Sequence, residues 1–569
     1  MPLPTLEDSC ARFLAWCAPL LTEAELAETE AAVAAYLLPD GPGRRLHAEL
    51  EAFDADPGVH SWLDTFWPAR YLGRRDRIAI NANFFFLFKE SAESQVERAA
   101  GLIAGAVDYK VKLDAELVPP VLQRGQPLSM EQNKYLFSTT RIPGLVQDSV
   151  RTPYPEGPSQ ARHIVVFSRG TMFRLDVQTA DGTPYGRADL VSGLRGILEH
   201  DPAKEPSVGH FTTKARAEWA VTRQVLMDLD PRNEAAFEDV ETALLCLCLE
   251  DLSPKDPLEA CDQLLHGDSA NRWFDKAVSF VVFADGTAGI NVEHCGLDGT
   301  TILSFVDTVL NTVPDTVPEA HPSQGTPAVE PIEFVLDDAL RADAQAAADA
   351  FAAYAHDTAT ATVSFEDFGG NRAKQLGVSP DAFVQMAYQL AHKRSKGLTG
   401  ATYESIATRQ YRRGRTEAMR VVTPEVLAFV AAMDDPAADP AARTAAFRTA
   451  AGAHVRRAKE CQAGAAPEQH LWELQLIHKR QGGTEPLPLY DTPGWIKMRD
   501  DYLSTSSAPS VNIRYFGFGS TSTQCIGIAY VLLPDRFNLY LSTPLPVADA
   551  MHTFADRLRE AVAELQALL

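Results

Sequence analysis

Residues 271–299 read NRWFDKAVSFVVFADGTAGINVEHCGLDG. Two apolar, β-rich runs in this stretch, 279–283 and 288–293, flank Asp285-Gly286, a dipeptide that is typical of the tight turn of a β-hairpin. Residues 300–309 follow directly, with apolar side chains spaced like one face of an α-helix. The stretch therefore predicts a hairpin followed by a helix, with His294 at the end of the second hairpin strand, inside an α/β fold.

His294 is the candidate catalytic residue of this stretch. An imidazole can take a proton near neutral pH, and Asp298, four residues later, can fix the orientation of the ring or the local backbone. The pattern H-x-x-x-D-G is weak alone and occurs by chance. Asp298 also lies just before the predicted helix, where a carboxylate is equally a helix cap. The residues leave both interpretations of Asp298 open.

Length, composition and charge limit the class of protein. A chain of 569 residues is too long for one compact core, so two or more domains are expected. The content of 46% hydrophobic and 22% charged residues is that of a globular protein. The formal net charge of −24 argues against nucleic acid and anionic membranes as partners. No apolar run approaches bilayer length and no signal peptide is recognisable, which predicts a cytoplasmic protein.

The eight cysteines show no C-x-x-C spacing. We interpret them as reduced thiols of a cytosolic protein, and no metal site is predicted. Cys246 and Cys248 share one face if their segment is a strand and diverge if it is a helix. Cys295 is interpreted as a packing residue, because adjacent residues such as His294 and Cys295 rarely face each other.

The rest of the chain mixes helices and strands in both halves, which predicts a pair of similar α/β units. The best linker candidate is 312–331, which contains five prolines. Helices are predicted over 5–38 and up to 53 after a Pro/Gly break, over 337–356 and 379–396, within 423–462 on either side of a Pro/Asp/Ala-rich loop at 434–442, and from 547. Strands are predicted over 163–167, 172–175, 360–365, 510–517 and 524–533.

Short sequence blocks occur in a consistent order from residue 61 to residue 528. They are Tyr71-Leu72-Gly73-Arg74-Arg75-Asp76, Asn81-Ala82-Asn83-Phe84, Pro127-Leu128-Ser129-Met130-Glu131-Gln132, Arg141-Ile142-Pro143-Gly144, Asn271-Arg272-Trp273-Phe274-Asp275-Lys276, Glu293-His294, Ser379-Pro380-Asp381-Ala382-Phe383, Ala401-Thr402-Tyr403-Glu404-Ser405, Gly414-Arg415-Thr416-Glu417 and Ser504-Thr505-Ser506. Through these blocks the chain resembles the choline/carnitine O-acyltransferases.

The resemblance implies an α/β fold of two CoA-dependent acyltransferase-like (chloramphenicol acetyltransferase-like) domains. Each domain is a mixed sheet flanked by helices, and the active site is a tunnel at their interface. The first domain would span 56–335 and carry His294. The second would combine 1–55 with 336–569 and carry the CoA and acceptor contacts. The resemblance further implies a monomer with acyl-CoA as co-substrate, no tightly bound cofactor and no metal.

Acyl transfer from a thioester to an alcohol needs a base for the hydroxyl, an acid for the leaving thiolate and a donor for the tetrahedral oxyanion. One neutral imidazole can serve both proton steps. By resemblance, His294 is the base, Asp298 its neighbouring carboxylate and Ser506 the oxyanion donor. Without the resemblance, the Ser504-Thr505-Ser506 run would be interpreted as a strand edge or turn with solvated hydroxyls.

The CoA positions match the family only in part. Lys374 matches a lysine that the family uses for CoA, and Asp381 matches its acidic companion. A second family lysine corresponds to Gly370, and Arg372 is the candidate replacement as a phosphate partner. Ser507 stands where a glutamine is common. The substitutions leave a carrier-bound acyl donor open beside free acyl-CoA.

The acceptor positions match the family less closely. Tyr403, Ser405 and Thr416 match residues that contact carnitine. Gln469 replaces the arginine with which carnitine enzymes neutralise the carboxylate. Choline enzymes carry an amide there but usually lack the threonine retained as Thr416. A carnitine-like amine, a choline-like amine and another hydroxylated metabolite therefore all remain open as acceptors.

Aromatic residues near the end of the chain suggest the size of the acyl group. Phe516 occupies a position at which long-chain members carry glycine, which opens their acyl pocket. A ring at this position predicts an acetyl or other short acyl group. Ser504 and Phe518 match positions around the trimethylammonium group. The predicted activity is short-chain O-acyl transfer; the alternatives are an acyltransferase of a biosynthetic pathway with a different acceptor or donor, and a catalytically silent acyl-CoA-binding protein.

Overall fold

The structure is a computed structural model, and it describes residues 1–123, 125–202, 204–312 and 323–569. Half of the predicted linker, 313–322, lies outside the described residues. Its last three residues belong to the edge strand Val329–Ile332.

The α-helices alternate with strands through most of the chain. The helices are α1 Leu6–Cys17, α2 Glu23–Tyr36, α3 Pro42–Asp54, α4 Phe66–Leu72, α5 Gln95–Asp114, α6 Arg187–Leu198, α7 Arg216–Leu229, α8 Pro231–Thr242, α9 Pro257–Leu265, α10 Gly299–Thr312, α11 Asp338–His356, α12 Gly370–Gln375, α13 Pro380–Lys396, α14 Pro424–Asp434, α15 Pro440–Gln462, α16 Pro467–Arg480, α17 Pro493–Arg499 and α18 Ala548–Leu568. The strands are β1 Phe84–Phe88, β2 Leu122–Gln123, β3 Gln126–Pro127, β4 Thr140–Ile142, β5 Ser149–Arg151, β6 His163–Ser168, β7 Thr171–Asp176, β8 Cys246–Leu249, β9 Val278–Val282, β10 Ala288–Val292, β11 Val329–Ile332, β12 Thr358–Phe365, β13 Thr402–Ala407, β14 Thr416–Arg420, β15 Leu503–Ser507, β16 Ile513–Phe518, β17 Ile526–Leu532 and β18 Phe537–Pro544.

The predicted hairpin and helix are confirmed. Strands β9 and β10 pair antiparallel across the Asp285-Gly286 turn, and α10 follows. Gly286 has φ +86°, and a Cβ at this position would lie 2.1 Å from the carbonyl oxygen of Glu93. Because only glycine meets both demands, the turn fixes where β10 starts and hence where His294 follows it.

Two mixed sheets form the fold. One has the order β11-β7-β6-β8-β9-β10-β1-β16 and the other the order β12-β18-β17-β15-β13-β14. Across the first six strands of each order, the pairings run antiparallel, antiparallel, parallel, parallel and antiparallel. The two sheets are thus built on one plan, as the prediction of two similar α/β units requires. The β9–β10 hairpin of the first corresponds to the β13–β14 hairpin of the second.

Strand β16 joins the first sheet although its residues lie late in the chain. It pairs with β1, with Phe518 opposite Phe84 and Phe516 opposite Phe86. Consequently the two aromatic residues selected from the sequence lie beside β1, which itself pairs with β10. The C-terminal half therefore supplies part of the sheet that carries His294.

Apolar cores cover the sheets. Helices α13 and α18 pack on the second sheet, with Phe383 and Leu558 fully buried. The first helices, α1 to α3, pack against α16 and α17, with Phe13 near Trp495. All eight cysteines are free thiols, and Cys246 and Cys248 share one face of β8. Within the described residues, no helix combines the length and apolar character that a bilayer crossing demands.

Candidate active site

His294 lies in the short loop between β10 and α10. Its Nδ1 lies 2.6 Å from the carbonyl oxygen of Leu297. A carbonyl can only accept a hydrogen bond, so the ring hydrogen is on Nδ1. Nε2 is then an acceptor, and the hydroxyl of Tyr71 lies 3.4 Å from it. The loop thus fixes a neutral imidazole in the tautomer that a general base requires.

Aromatic rings surround the imidazole but leave part of it accessible. The ring centroids of Tyr71 and Phe84 lie 5.0 and 5.1 Å from that of His294. The His294 side chain is nevertheless 28% exposed. Solvent therefore reaches the ring, as access by a reacting group requires.

Burial is also the main influence on the protonation of His294. It lowers the pKa of His294 below the ordinary value, because desolvation disfavours the imidazolium. The charge of Asp298 opposes this effect, and the charge of Arg415 adds to it. The net direction keeps the ring neutral at pH 7.

Asp298 connects the loop to the second sheet. One carboxylate oxygen accepts from Arg415 Nη2 at 2.8 Å and the other from Gln132 Nε2 at 2.6 Å. The Oδ1 atom lies 3.7 Å from His294 Nδ1. Burial raises the pKa of Asp298, but the Arg415 guanidinium outweighs this and holds it below the ordinary value. The ionised carboxylate therefore bonds across the molecule, which favours the orienting interpretation over the helix cap.

Arg415 lies just before β14 and holds the histidine loop by its backbone as well. It donates to the carbonyl oxygens of His294 at 3.0 Å and Cys295 at 2.5 Å. Its guanidinium also stacks on the rings of Trp67 and Tyr71, at 5.1 and 4.6 Å from their centroids. One side chain of the second sheet thereby fixes the loop of the first.

A buried ionic network supports the loop from the other side. Arg141 bonds Glu293 at 3.0 Å, Asp148 at 2.6 Å and the carbonyl oxygen of Tyr71 at 2.7 Å. Glu293 in turn accepts from the backbone N–H of Cys295. Both residues that flank His294 are thus held by groups with almost no exposure, which favours a rigid, preorganised site.

Register places several predicted residues on one face of the second sheet. In β13, β14 and β15 the pairs are Tyr403 with Ser504, Ser405 with Ala418, and Ala407 with Thr416. Paired residues point to the same side of a sheet, and so do residues two apart. The face therefore carries Tyr403, Ser405, Thr416, Ser504 and Ser506.

Thr505 shows which side this face is on. Its hydroxyl accepts from Gln385 of α13, so Ser504 and Ser506, its neighbours in β15, point away from that helix. Ser506 pairs with Ala529, which belongs to the apolar core that contains Phe84 and Phe516. Ser506 therefore faces the half of the molecule that carries His294.

Gln469 contacts the second sheet, whereas the aromatic pair Phe516 and Phe518 belongs to the first. Gln469 is 1% exposed, and its amide donates to the backbone carbonyl of Thr416 at 2.6 Å. Phe516 contacts Phe518 and Phe84, with centroid distances of 5.6 and 6.2 Å. Because Phe84 also contacts His294, Phe516 lies one ring away from the imidazole.

Three of the predicted CoA residues are exposed, and the fourth, Asp381, belongs to a partly buried cluster. Arg372 and Lys374 are exposed on α12, and Arg372 donates to Gln566. Asp381, in the first turn of α13, bonds His454 at 2.8 Å and the hydroxyl of Tyr530 at 2.7 Å. Ser507 is exposed and pairs with Tyr530 in the sheet.

The buried Glu404 completes the partly buried cluster. Ligand atoms of Asp381, Glu404 and His454 lie within 4.8 Å of one another, a spacing that can also hold a metal ion. Burial, together with the charge of Asp381, raises the pKa of Glu404, whereas the hydrogen bond from His454 overcomes burial and lowers that of Asp381. Tyr530 lies 2.7 Å from both carboxylates but has one hydrogen to donate. The geometry therefore fits a protonated Glu404 beside an Asp381–His454 ion pair.

Sequence reasoning missed three residues that contact the site. Tyr71, Gln132 and Arg415 all lie in sequence blocks that carried the family resemblance, but no chemical role was assigned to them. Each of them contacts His294 or Asp298, although more than one hundred residues separate the two partners in the sequence. Their presence in those blocks was the only signal that could have identified them.

Comparison with known proteins found a matching family model, similar sequences and solved structures of low similarity. The family model described as choline/carnitine O-acyltransferase matches residues 1–563. Mouse (Mus musculus) mitochondrial carnitine O-palmitoyltransferase 2 is 30% identical, covering 95% of this chain and 88% of the mouse protein. Carnitine O-acetyltransferase of Columba livia is 30% identical, covering 100% of this chain and 93% of the pigeon protein. A solved trichothecene 15-O-acetyltransferase of Fusarium sporotrichioides is 10% identical, with a TM-score of 0.36, covering 86% of this chain and 92% of that chain.

Proposed function

The chain belongs to the choline/carnitine O-acyltransferase family, an enzyme family that uses acyl-CoA as co-substrate. We therefore propose that it transfers a short acyl group, acetyl foremost, to the hydroxyl of a small acceptor. The proposed acceptor is a carnitine- or choline-like amine. His294 is the general base. The observation that carries the proposal is its fixed tautomer: Nδ1–H donates to Leu297, so Nε2 is the acceptor atom, with only a long 3.4 Å contact from the Tyr71 hydroxyl, on a ring that solvent reaches.

The proposed reaction proceeds directly, without an acyl-enzyme. Nε2 of His294 takes the proton of the acceptor hydroxyl as the oxygen attacks the thioester carbonyl. A carbon–oxygen bond forms and a tetrahedral oxyanion results. When the carbon–sulfur bond breaks, the imidazolium returns the same proton to the CoA sulfur. Asp298 stabilises the transient imidazolium through its charge, at 3.7 Å from Nδ1.

Ser506 is the proposed donor to the oxyanion. Its position on the face of β15 that looks away from α13 supports this role. The exposed Lys374 and Arg372 offer cations for the CoA phosphates, and Asp381 and Ser507 are proposed as further CoA contacts. Tyr403, Ser405, Thr416, Ser504 and Phe518 are proposed to bind the acceptor.

An assay of thiol release tests this function directly. The purified chain is mixed with acetyl-CoA and, in turn, with carnitine, choline and other hydroxylated amines, and free CoA is titrated with a thiol reagent. We expect acceptor-dependent release with at least one of them. Saturable binding of acetyl-CoA without thiol release for any acceptor would favour a binding protein over an enzyme.

The lowered pKa of His294 fixes the expected pH dependence. An unprotonated imidazole is needed for attack, and burial places its pKa below the ordinary value of about 6.5. We therefore expect kcat/KM to stay level through neutral pH and to fall only in more acidic solution, as Nε2 becomes protonated. A profile that is still rising above pH 7.5 would contradict the assignment of His294 as the base.

Phe516 provides a test of acyl length. Replacing it with alanine should open the space beside Phe84, so that kcat/KM for octanoyl-CoA rises by about 10-fold relative to acetyl-CoA. That factor corresponds to about two additional buried methylenes at about 0.8 kcal/mol each. The cavity should also cost about 3–5 kcal/mol of unfolding free energy.

Phe88→Ala is the matched control. Phe88 is 2% exposed on β1 and contacts Phe280. We expect it to lose comparable stability without gaining octanoyl transfer. If Phe516→Ala leaves the ratio of octanoyl to acetyl transfer unchanged, Phe516 does not limit the acyl group.

A further inference from the structure

Arg70 is a cation beside the proposed site without an anionic partner. It lies in α4, and its guanidinium stacks on the rings of Trp67, Tyr71 and Trp472 at 5.6, 5.7 and 5.4 Å. Within the described residues, it makes no hydrogen bond or ion pair. Tyr71, on which it stacks, is the residue whose hydroxyl approaches His294 Nε2.

Arg415 makes the contrast clear. It stacks on the same two rings, Trp67 and Tyr71, which are nearly parallel at 21°. Arg415 is paired with Asp298 at 2.8 Å. Two guanidinium groups against one pair of rings repel each other, and only one of them is neutralised by the protein.

The charges around Arg70 leave a surplus of one cation. Arg420 pairs with Glu468 at 2.6 Å and with Asp501 at 2.5 Å, and Arg499 pairs with Glu468 at 3.3 Å. With the Arg415–Asp298 pair, four guanidinium groups thus face three ionised carboxylates. Glu417 lies close enough for the charge of Arg70 to lower its pKa, but burial and the charge of Glu468 outweigh this and raise that pKa well above the ordinary value, which favours the neutral acid.

The position of Arg70 relates it to the acceptor residues. Trp472, under Arg70, lies three positions after Gln469 in α16, so the two share a helix face. Gln469 bonds the backbone of Thr416 and brings no charge. Tyr403 and Glu468 both lie close enough to influence the pKa of Arg70. The unpaired cation therefore lies along the same side as the proposed acceptor contacts.

We propose that Arg70 binds an anionic group of the acyl acceptor, a carboxylate, and so selects hydroxylated carboxylates over neutral alcohols. Calling the bound molecule an acyl acceptor rests on the proposed function, whereas the surplus positive charge at Arg70 is independent of it. A planar guanidinium held between aromatic rings presents its N–H groups edge-on, the geometry in which arginine binds a carboxylate through two bonds.

Kinetics with matched acceptors test this proposal. Carnitine and 3-hydroxybutyrate are compared with their carboxamides, which keep the shape and lose the charge, using acetyl-CoA as donor. Wild type should prefer at least one carboxylate to its amide. Arg70→Ala should raise KM for that carboxylate roughly 10- to 100-fold, the value of a charged hydrogen bond. The KM for acetyl-CoA and kcat should change less than about twofold, and Arg70→Lys should retain part of the preference.

Arg77→Ala is the matched control, because Arg77 also stacks on a ring, that of Tyr354 at 4.4 Å, away from His294. It should leave the preference intact. Equal losses for carboxylate and amide in Arg70→Ala, or no preference in wild type, would overturn the proposal.

Calorimetric binding of the same four compounds separates this inference from the proposed function. If wild type turns over no acceptor, the proposed function fails, yet carboxylates should still bind more tightly than amides and lose that advantage in Arg70→Ala. If turnover occurs and neither pair shows the difference, the Arg70 inference alone fails.

Discussion

His294→Ala is expected to lower kcat for acyl transfer by about 10³-fold or more, equivalent to about 4 kcal/mol of barrier. The loss is large because one ring serves both proton transfers in the proposed reaction, so its removal leaves the hydroxyl without a base and the thiolate without an acid. The measurement is thiol release under saturating acetyl-CoA and acceptor. Binding of acetyl-CoA by calorimetry should remain within a few-fold of wild type, because His294 is not among the groups proposed to bind CoA.

His163 offers the control for this substitution. It is a buried histidine at the start of β6 in the same sheet, its Nε2 bonds the carbonyl oxygen of Asp239 at 2.8 Å, and burial lowers its pKa as it does for His294. His163→Ala should cost stability but not turnover, when both are measured well below the unfolding temperature. Turnover by His294→Ala close to that of wild type would exclude His294 as the base.

The local part of this site could be predicted from sequence because neighbouring residues encode it. Turn chemistry at Asp285-Gly286 and apolar spacing around it fixed the hairpin, and the hairpin fixed the position of His294. The alternation of Ser504, Thr505 and Ser506 between the two faces of β15 is likewise local, because side chains alternate along any strand.

The rest of the site could not be predicted, because it depends on contacts between distant segments. Tyr71, Gln132 and Arg415 reach His294 or Asp298 across 223, 166 and 117 residues. The entry of β16 into the first sheet is another such contact, since nothing within Ile513–Phe518 specifies Phe84 as a neighbour. Local pattern identifies a strand and its apolar face, whereas its partner depends on the packing of the whole fold.

Substitution of Arg415, a residue that the sequence did not identify, is expected to have the second large effect on the enzyme. Arg415→Met should lower the free energy of unfolding by about 3–5 kcal/mol, because it leaves the buried Asp298 carboxylate without its cation. It also removes donors from the backbone carbonyls of His294 and Cys295. Since misplacement of a reacting group by about 1 Å can cost about 10²-fold in rate, a fall of that order in kcat is expected.

The same variant should shift the pH profile in a defined direction. The charge of Arg415 lowers the pKa of His294, and the charge of Asp298 raises it. Without Arg415, the unneutralised carboxylate raises the pKa of His294, so the acid limb of kcat/KM moves to higher pH. Asp298→Asn alone removes the opposing charge and should move that limb to lower pH. Opposite shifts from the two variants would distinguish an electrostatic link to His294 from simple loss of packing.

Combining the two substitutions tests whether the ion pair itself is what stabilises the loop. In the Arg415→Met background, Asp298→Asn removes the orphaned charge and should recover part of the lost unfolding free energy, which independent sites would not do. Arg409→Met is the control: Arg409 is buried nearby and donates to the backbone carbonyl of Ser129, so its loss strands no carboxylate. It should therefore cost less than Arg415→Met and gain nothing from Asp298→Asn. Equal costs for the two arginines, or no recovery in the double variant, would mean that packing rather than the Arg415–Asp298 pair holds His294 in place.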